Sequence, residues 1–457
     1  MTQSRNSYPY SYEDGCISYN SLFSSFNKRD FEKLDEIYNQ LDIDNEIKKL
    51  FSENKINTTE DQAALHHIYR SAYGHNAGSV NESYYEIAKN SISECIQLKE
   101  KLIKRGIKNI ITIGIGGSFE GPKLLLETLT QKHDRSFNHI FLTGPDKQEF
   151  EDEIKPLNKK ETFFIVSSKS FSTDETIQSL GFARGWIGDK LEFKDHFICI
   201  TSQIKKAKKF YFDETSAIEF PNEIGGRYSI WSPISLSAIL ELGESFIDFL
   251  KGGSLADKNL NLNSNYKRFL KTIIFSDIWH NNYDNKHIRV LLTYSWKLRY
   301  FTDYAQQLEM ESIGKGAKES SHFEKTGQVV FGGFGSTAQH SYFQLLHQGT
   351  ANFSSDIICI DIDKVENALL YAQSQAQAGL LAFGDENLED HEKVNGKSPV
   401  NLISLKELNP YNLGYLIASW EHRVFLTSRM LQINPFDQYG VSAGKIFARK
   451  YLDSNGG

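Results

Sequence analysis

Gln307 and Glu311 stand four residues apart in the run Tyr304-Ala-Gln-Gln-Leu-Glu-Met-Glu-Ser-Ile-Gly-Lys315. On a helix that spacing stacks the amide and the carboxylate on one face. Gly314 and Gly316 then end the helix and leave the carboxylate beside an open stretch of backbone. A carboxylate placed this way is fit to take a proton from carbon, provided that its substrate is anchored nearby. Read alone, the segment is more simply a solvated helix end, the ordinary place for Glu. The question is therefore whether the chain supplies an anchor.

Two strand-to-helix turns are candidates, although a glycine-rich turn such as the first serves structure alone as readily. The first is Thr112-Ile-Gly-Ile-Gly-Gly-Ser-Phe-Glu-Gly-Pro122. Its glycines let backbone N–H groups approach a ligand, and the helix that follows adds positive potential. It is not a dinucleotide fingerprint, because Phe119 takes the third glycine position, nor a nucleotide P-loop, because Pro122-Lys123 replaces Lys-Ser/Thr. The second is Phe163-Phe-Ile-Val-Ser-Ser-Lys-Ser-Phe-Ser-Thr-Asp-Glu175. Here a buried strand opens into five hydroxyl residues and a lysine before a helix begins. Ser168, Lys169, Ser170 and Thr173 offer donors matched to the three oxygens of a phosphomonoester. A capping box from Ser172 to Glu175 is the plain alternative, but it accounts for Ser172 and leaves the other donors without a task.

The elements that must hold these groups alternate. Strands are expected at 110–115, 138–142, 162–167 and 197–201, with a helix at 122–129 between the first two, which is the pattern of a parallel sheet flanked by helices. The polar run 252–265 marks an expected boundary. The alternation resumes with a helix near 266–281, a strand at 289–294, a helix near 297–310 and strands at 328–332 and 357–362. Residues 1–75 read as polar N-terminal helices and 411–457 as a helical tail. The α/β reading is thus of two doubly wound units, 76–252 and 266–410, between those flanking segments.

Composition narrows the function. With 457 residues, 40% hydrophobic and 13% aromatic, the chain supports more than one core. A formal charge of −7 without a basic stripe argues against nucleic acid. Cys16, Cys95, Cys199 and Cys359 lie far apart without metal or redox spacing, as expected of free thiols in a reducing cytoplasm. The first ten residues lack the apolar core of a signal peptide, and no apolar run is long enough for a membrane helix.

Taken in order, the motifs resemble those of the glucose-6-phosphate isomerase family, also called phosphoglucose isomerase. They are Gly114-Ile-Gly-Gly-Ser118, Ser168-Lys-Ser-Phe-Ser-Thr-Asp-Glu-Thr176 and Gly225-Gly-Arg-Tyr-Ser-Ile-Trp-Ser232. Gln307-Leu-Glu-Met-Glu-Ser312, Gln339-His-Ser-Tyr-Phe-Gln-Leu-Leu-His-Gln-Gly-Thr350 and Phe436-Asp-Gln-Tyr-Gly-Val441 with Lys445 follow. The resemblance implies two sugar-isomerase (SIS) domains, a homodimer with sites shared between chains, and no metal or organic cofactor. It also implies reversible interconversion of glucose 6-phosphate and fructose 6-phosphate.

The same resemblance assigns roles. Ser168, Lys169, Ser170 and Thr173 would hold the phosphate, while Gly117, Ser118 and Gln438 would line the sugar. Glu311 would move the proton between C1 and C2, with Arg227 stabilising the enediolate and Gln307 beside it. His340 and Lys445 would assist ring opening, and Glu175 would orient His340. Spacing alone does not choose between His340 and His347; the family motif selects His340. Departures from the family pattern are Ser170, Ile313, Ser336-Thr-Ala338, Ser442 and Phe119-Glu120. Two other readings compete: an isomerase that also accepts mannose 6-phosphate, and a non-catalytic sugar-phosphate-binding module. The latter has no need of Glu311, Arg227, His340 and Lys445 together.

Overall fold

Short runs of Val, Ile, Phe and Leu form eleven strands among the described residues, which in this computed structural model are 10–75, 78–188 and 193–454. The reading of the first nine residues, as of 455–457, lies outside them. The strands are β1 (Ser11–Glu13), β2 (Ile17–Ser21), β3 (Asn109–Ile113), β4 (Asn138–Leu142), β5 (Thr162–Ser167) and β6 (Phe197–Thr201). They continue with β7 (Ala217–Glu219), β8 (Ile288–Thr293), β9 (Val329–Phe334), β10 (Phe353–Ile360) and β11 (Val400–Leu405). One sheet has the order β4-β3-β5-β6-β7 and is parallel throughout. The other has the order β1-β2-β11-β10-β8-β9, parallel from β11 to β9 and antiparallel at the β1-β2 edge. The α/β class and mostly parallel sheets match the sequence reading.

Side-chain alternation explains the layering. Ile110, Phe163, Ile165, Ile198 and Ile200 point from the first sheet into a core that also receives Leu291, Ile358, Ile360, Ile403 and Leu405 from the second. Their neighbours turn outward: Ile111, Ile113, Phe164 and Val166 into one outer cluster, Val290, Leu292, Ile357 and Leu402 into another. Both faces of both sheets are therefore buried, as parallel sheets require.

Three expectations are corrected. The 1–75 segment is not helical throughout, since Asp14 folds the chain into the β1-β2 hairpin by accepting from the N–H groups of Cys16 (2.8 Å) and Ile17 (2.9 Å). The polar run 252–265, read as an interruption of the pattern, is instead the end of helix Ser245–Leu262 and the start of helix Ser264–Asn282. Its glycines serve helix packing: a Cβ on Gly252 would sit 1.8 Å from the Tyr411 carbonyl oxygen, and one on Gly414 would sit 2.0 Å from that of Phe249. The helix that Gly252 meets, Pro410–Met430, is no tail either, for it is buried on nearly all sides. Its polar residues are paired internally. Arg423 binds Asp277 through two bonds (2.7 and 2.8 Å) and Asp356 (2.8 Å), and Trp420 donates to Glu309 (2.7 Å). Arg289 of β8 also contacts Glu309. This buried lattice fixes the helix Phe301–Ile313, which carries Glu309 on its inner side.

Candidate active site

The strands β3 and β5 are neighbours whose following chain segments turn to opposite sides of the sheet, which makes their carboxyl ends the switch point where α/β sheets bind ligands. The two donor-rich turns, 114–118 and 168–173, leave from those ends. Opposite them a cleft of ≈ 450 Å³ is closed by the helix Phe301–Ile313, by 226–227 and by 438–445. A Cβ on Gly117 would lie 1.9 Å from the Gly226 carbonyl oxygen, so only glycine lets the first turn meet the Arg227 segment.

In the phosphate-type turn the capping box is not formed. The helix begins at Asp174 with Thr173 as its N-cap, and Ser172 Oγ donates to Ser170 Oγ (2.9 Å) instead. Phe171 adopts the left-handed region (φ 44°), a strained conformation for a bulky residue. It is retained because the ring is buried against Phe210 and Phe212. That anchor curls the turn so that Ser168, Lys169, Ser170 and Thr173 all reach the cleft. Burial pushes the Lys169 ammonium below its ordinary pKa, against the opposing pull of Glu60 and Glu223. Glu60, absent from the sequence reading, lines the cleft as well. It precedes no strand-to-helix turn, so no local signal marked it.

On the far wall Gln307 donates to Glu311 Oε2 (3.2 Å), as their helical spacing requires. Arg227 Nη1 lies 3.3 Å from the same oxygen. The guanidinium is otherwise fully engaged. Its Nε donates to Ser312 Oγ (2.7 Å), Nη1 to Gln438 Oε1 (2.9 Å), and Nη2 to the carbonyls of Asp437 (2.9 Å) and Pro435. Arg227 is buried while Glu311 keeps a quarter of its surface open (26%), facing the cleft. A carboxylate, a fixed cation and a turn rich in hydroxyl donors thus surround one volume.

A phosphoglucose isomerase family model matches residues 23–456. The chain belongs to the phosphoglucose isomerase family. A glucose-6-phosphate isomerase from Wigglesworthia glossinidia brevipalpis is 33% identical, over 93% of this chain and 83% of its own length. One from Legionella pneumophila (strain Paris) is 32% identical, over 96% of this chain and 90% of its own length. The crystal structure of a glucose-6-phosphate isomerase from Chlamydia trachomatis D/UW-3/Cx has the same fold (TM-score 0.86, 24% identity, 98% of this chain and 90% of that one).

Of the family positions named from sequence, Gly117, Ser118, Ser168, Lys169, Ser170, Thr173, Glu175, Arg227, Gln307, Glu311, Gln438 and Lys445 line this cleft. His340 does not. It is exposed at the end of the helix Gly335–Gln339 and, among the described residues, makes no hydrogen bond or ion pair with Glu175. Within one chain Glu175 therefore does not orient it. Of the departures from the family pattern, Ser442 lines the cleft, whereas Ile313 is buried in the core between the sheets. Glu120 lies outside the cleft, where burial and then the charge of Asp303 raise its carboxyl to about 7. Among the described residues no helix is long and apolar enough to cross a membrane, and no cluster of three or more His, Cys, Asp or Glu residues suits a metal ion.

Proposed function

We propose that this cleft carries out the family's reaction with Glu311 as the base. The reaction is the reversible aldose–ketose isomerisation of D-glucose 6-phosphate and D-fructose 6-phosphate, a step of glycolysis and gluconeogenesis. The convergence of Arg227 and Gln307 on one carboxylate oxygen, across the cleft from the phosphate-type turn, carries this reading. Ser168, Lys169, Ser170 and Thr173 hold the phosphate, and Gly117, Ser118 and Gln438 border the sugar.

Starting from the aldose, Glu311 removes the proton from C2, and its bonding electrons form the C1–C2 double bond as negative charge builds on O1. Arg227 stabilises that charge without acting as an acid, because a guanidinium does not titrate near neutral pH. The protonated Glu311 then delivers the proton to C1, and the O2 hydroxyl loses its own proton to become the carbonyl, leaving O1 protonated. Ring opening, which exchanges a proton between hydroxyl and ring oxygen, falls to His340 and Lys445. Because His340 lies outside its own chain's cleft, we assign it to the site of a second copy, where Glu175 orients it. The last helix, Ser442–Ser454, supports that homodimer: Phe447 (70%) and Tyr451 (71%) on it are largely open to solvent in the single chain. A cytoplasmic location fits the four unpaired cysteines. The two-unit division, with one mostly parallel sheet in each unit, belongs to the same reading.

A coupled assay of fructose 6-phosphate conversion to glucose 6-phosphate, run with a chelator present, tests the activity. Steady turnover is expected; none from a folded protein overturns it.

A further inference from the structure

Arg227 has two supports that belong to different parts of the chain. Ser312, on the helix of Glu311, accepts from Nε (2.7 Å), and the 435–438 segment accepts from Nη1 and Nη2 through Gln438 Oε1 (2.9 Å) and the Asp437 carbonyl (2.9 Å). The distance between Arg227 and Glu311 therefore depends on how these two supports sit relative to each other. One buried side chain joins them. Asp437 Oδ1 pairs with Lys315 Nζ (2.9 Å), four residues beyond Glu311 and just past the helix end. Its Oδ2 accepts from Thr59 Oγ1 (2.6 Å) and Asn434 Nδ2 (3.0 Å). Lys315 also donates to the Asn434 carbonyl, so the clasp is closed from both ends.

We infer that Asp437 is a positioning residue for the isomerisation: its carboxylate clasps Lys315 and so fixes the placement of the Arg227 guanidinium against Glu311. The inference rests on the reading of Arg227 as the enediolate's partner. Burial works against the Asp437 carboxylate, but the donors from Lys315 and Thr59 outweigh it and hold the group below the usual carboxylate range, so it is charged throughout the working pH. A charge-assisted pair of that kind is short and directional, suited to fixing a loop rather than merely filling space. The chemical demand is geometric. A guanidinium displaced by an ångström from a developing oxyanion loses much of its effect on the transition state and little of its effect on ground-state binding.

The test compares Asp437→Asn, Lys315→Met and the double variant. Two ligands separate transition-state from ground-state recognition: a five-carbon sugar-phosphate hydroxamate, which mimics the enediolate, and glucitol 6-phosphate, which has the phosphate and hydroxyls without it. Each single variant should lower kcat by ~10-fold or more with KM for fructose 6-phosphate within about twofold. Hydroxamate affinity should fall with kcat, glucitol 6-phosphate affinity should hold, and the double variant should be no worse than the worse single one, as for two ends of one clasp. Unchanged kcat in both single variants overturns the inference. So does a parallel loss of kcat, glucitol 6-phosphate affinity and melting temperature, which marks general disruption, and so do additive effects. Arg227→Lys completes the set. Full activity there overturns the role of Arg227 and the inference with it, whereas loss there with normal turnover in Asp437→Asn overturns the inference alone.

Discussion

An amide at position 311 would keep the shape of the side chain and still accept from Gln307, yet it could not take a proton from carbon. Glu311→Gln should therefore lower kcat by at least ~10²-fold while sugar-phosphate affinity holds, and near-normal turnover in a steady-state assay would remove Glu311 from the chemistry. Lys169 carries a pH consequence. Burial depresses its pKa in the free protein, and the charged form is the one that attracts phosphate. Affinity for a sugar-phosphate analogue should accordingly fall as pH rises, starting below the range of an exposed lysine. In Lys169→Arg that fall should disappear, because arginine stays charged; calorimetry across pH measures both. Lys169→Ala should cost about 1.5–3 kcal/mol in that affinity, the worth of a hydrogen bond to a charged group. These positions were legible in the sequence because each sits in a short motif beside a strand or on one helix face. Phe171, Ser312 and Glu60 were not, since a left-handed backbone or a partner far along the chain leaves no local pattern.

At the scale of elements, the helix Phe301–Ile313 is placed by a neighbour that the sequence disguised. Glu421, His422 and Arg423 make the helix Pro410–Met430 look like a solvated tail, but Arg70, Asp257, Asp277 and Asp356 meet these charges in the interior. Charge pairing over long sequence separations cannot be read from composition. The same blindness hid β11, where Asn401 and Ser404 interrupt an apolar run; Asn401 is buried on Asp356 (2.7 Å) and Tyr19 (2.8 Å). It also delayed the start of β10, whose Ser354, Ser355 and Asp356 are polar and buried. By contrast the hairpin of β1 and β2 had an available signal in Asp14-Gly15, a turn pair between two short aromatic runs. Gly252 and Gly253 give the sequence the look of a boundary although they lie inside a helix, because close helix contact and chain breaks use the same residue. Gly414→Ala tests the contact. With the Phe249 carbonyl only 2.0 Å from the added carbon, overpacking should cost about 1–3 kcal/mol in denaturant unfolding. An unchanged midpoint would mean that the two helices separate without penalty.

For the whole molecule, the single chain leaves the proposed constellation incomplete at one point. Twelve of the thirteen side chains or glycines named from sequence line one cleft, and His340 stands exposed elsewhere. The last helix brings Lys445 to that cleft and is tied to the helix Asp174–Ile187 by Arg449 on Asp174 (2.7 and 2.9 Å), with Ile446 and Phe447 exposed to solvent. The isologous dimer proposed above, in which each copy would give its histidine to the other, would account for both facts. It predicts complementation. A Glu311→Gln homodimer lacks the base in both sites, and a His340→Ala homodimer lacks the histidine in both. In a mixed dimer one site combines the two defects, and the other receives Glu311 from one chain and His340 from its partner. Random exchange makes about half of the dimers mixed, each with one intact site of two, so about a quarter of wild-type activity should return. The two variants are mixed under conditions that exchange subunits, heterodimers are confirmed by mass, and turnover is then measured. If heterodimers form and activity does not return, His340 either serves its own chain's site after a rearrangement or takes no part in the reaction.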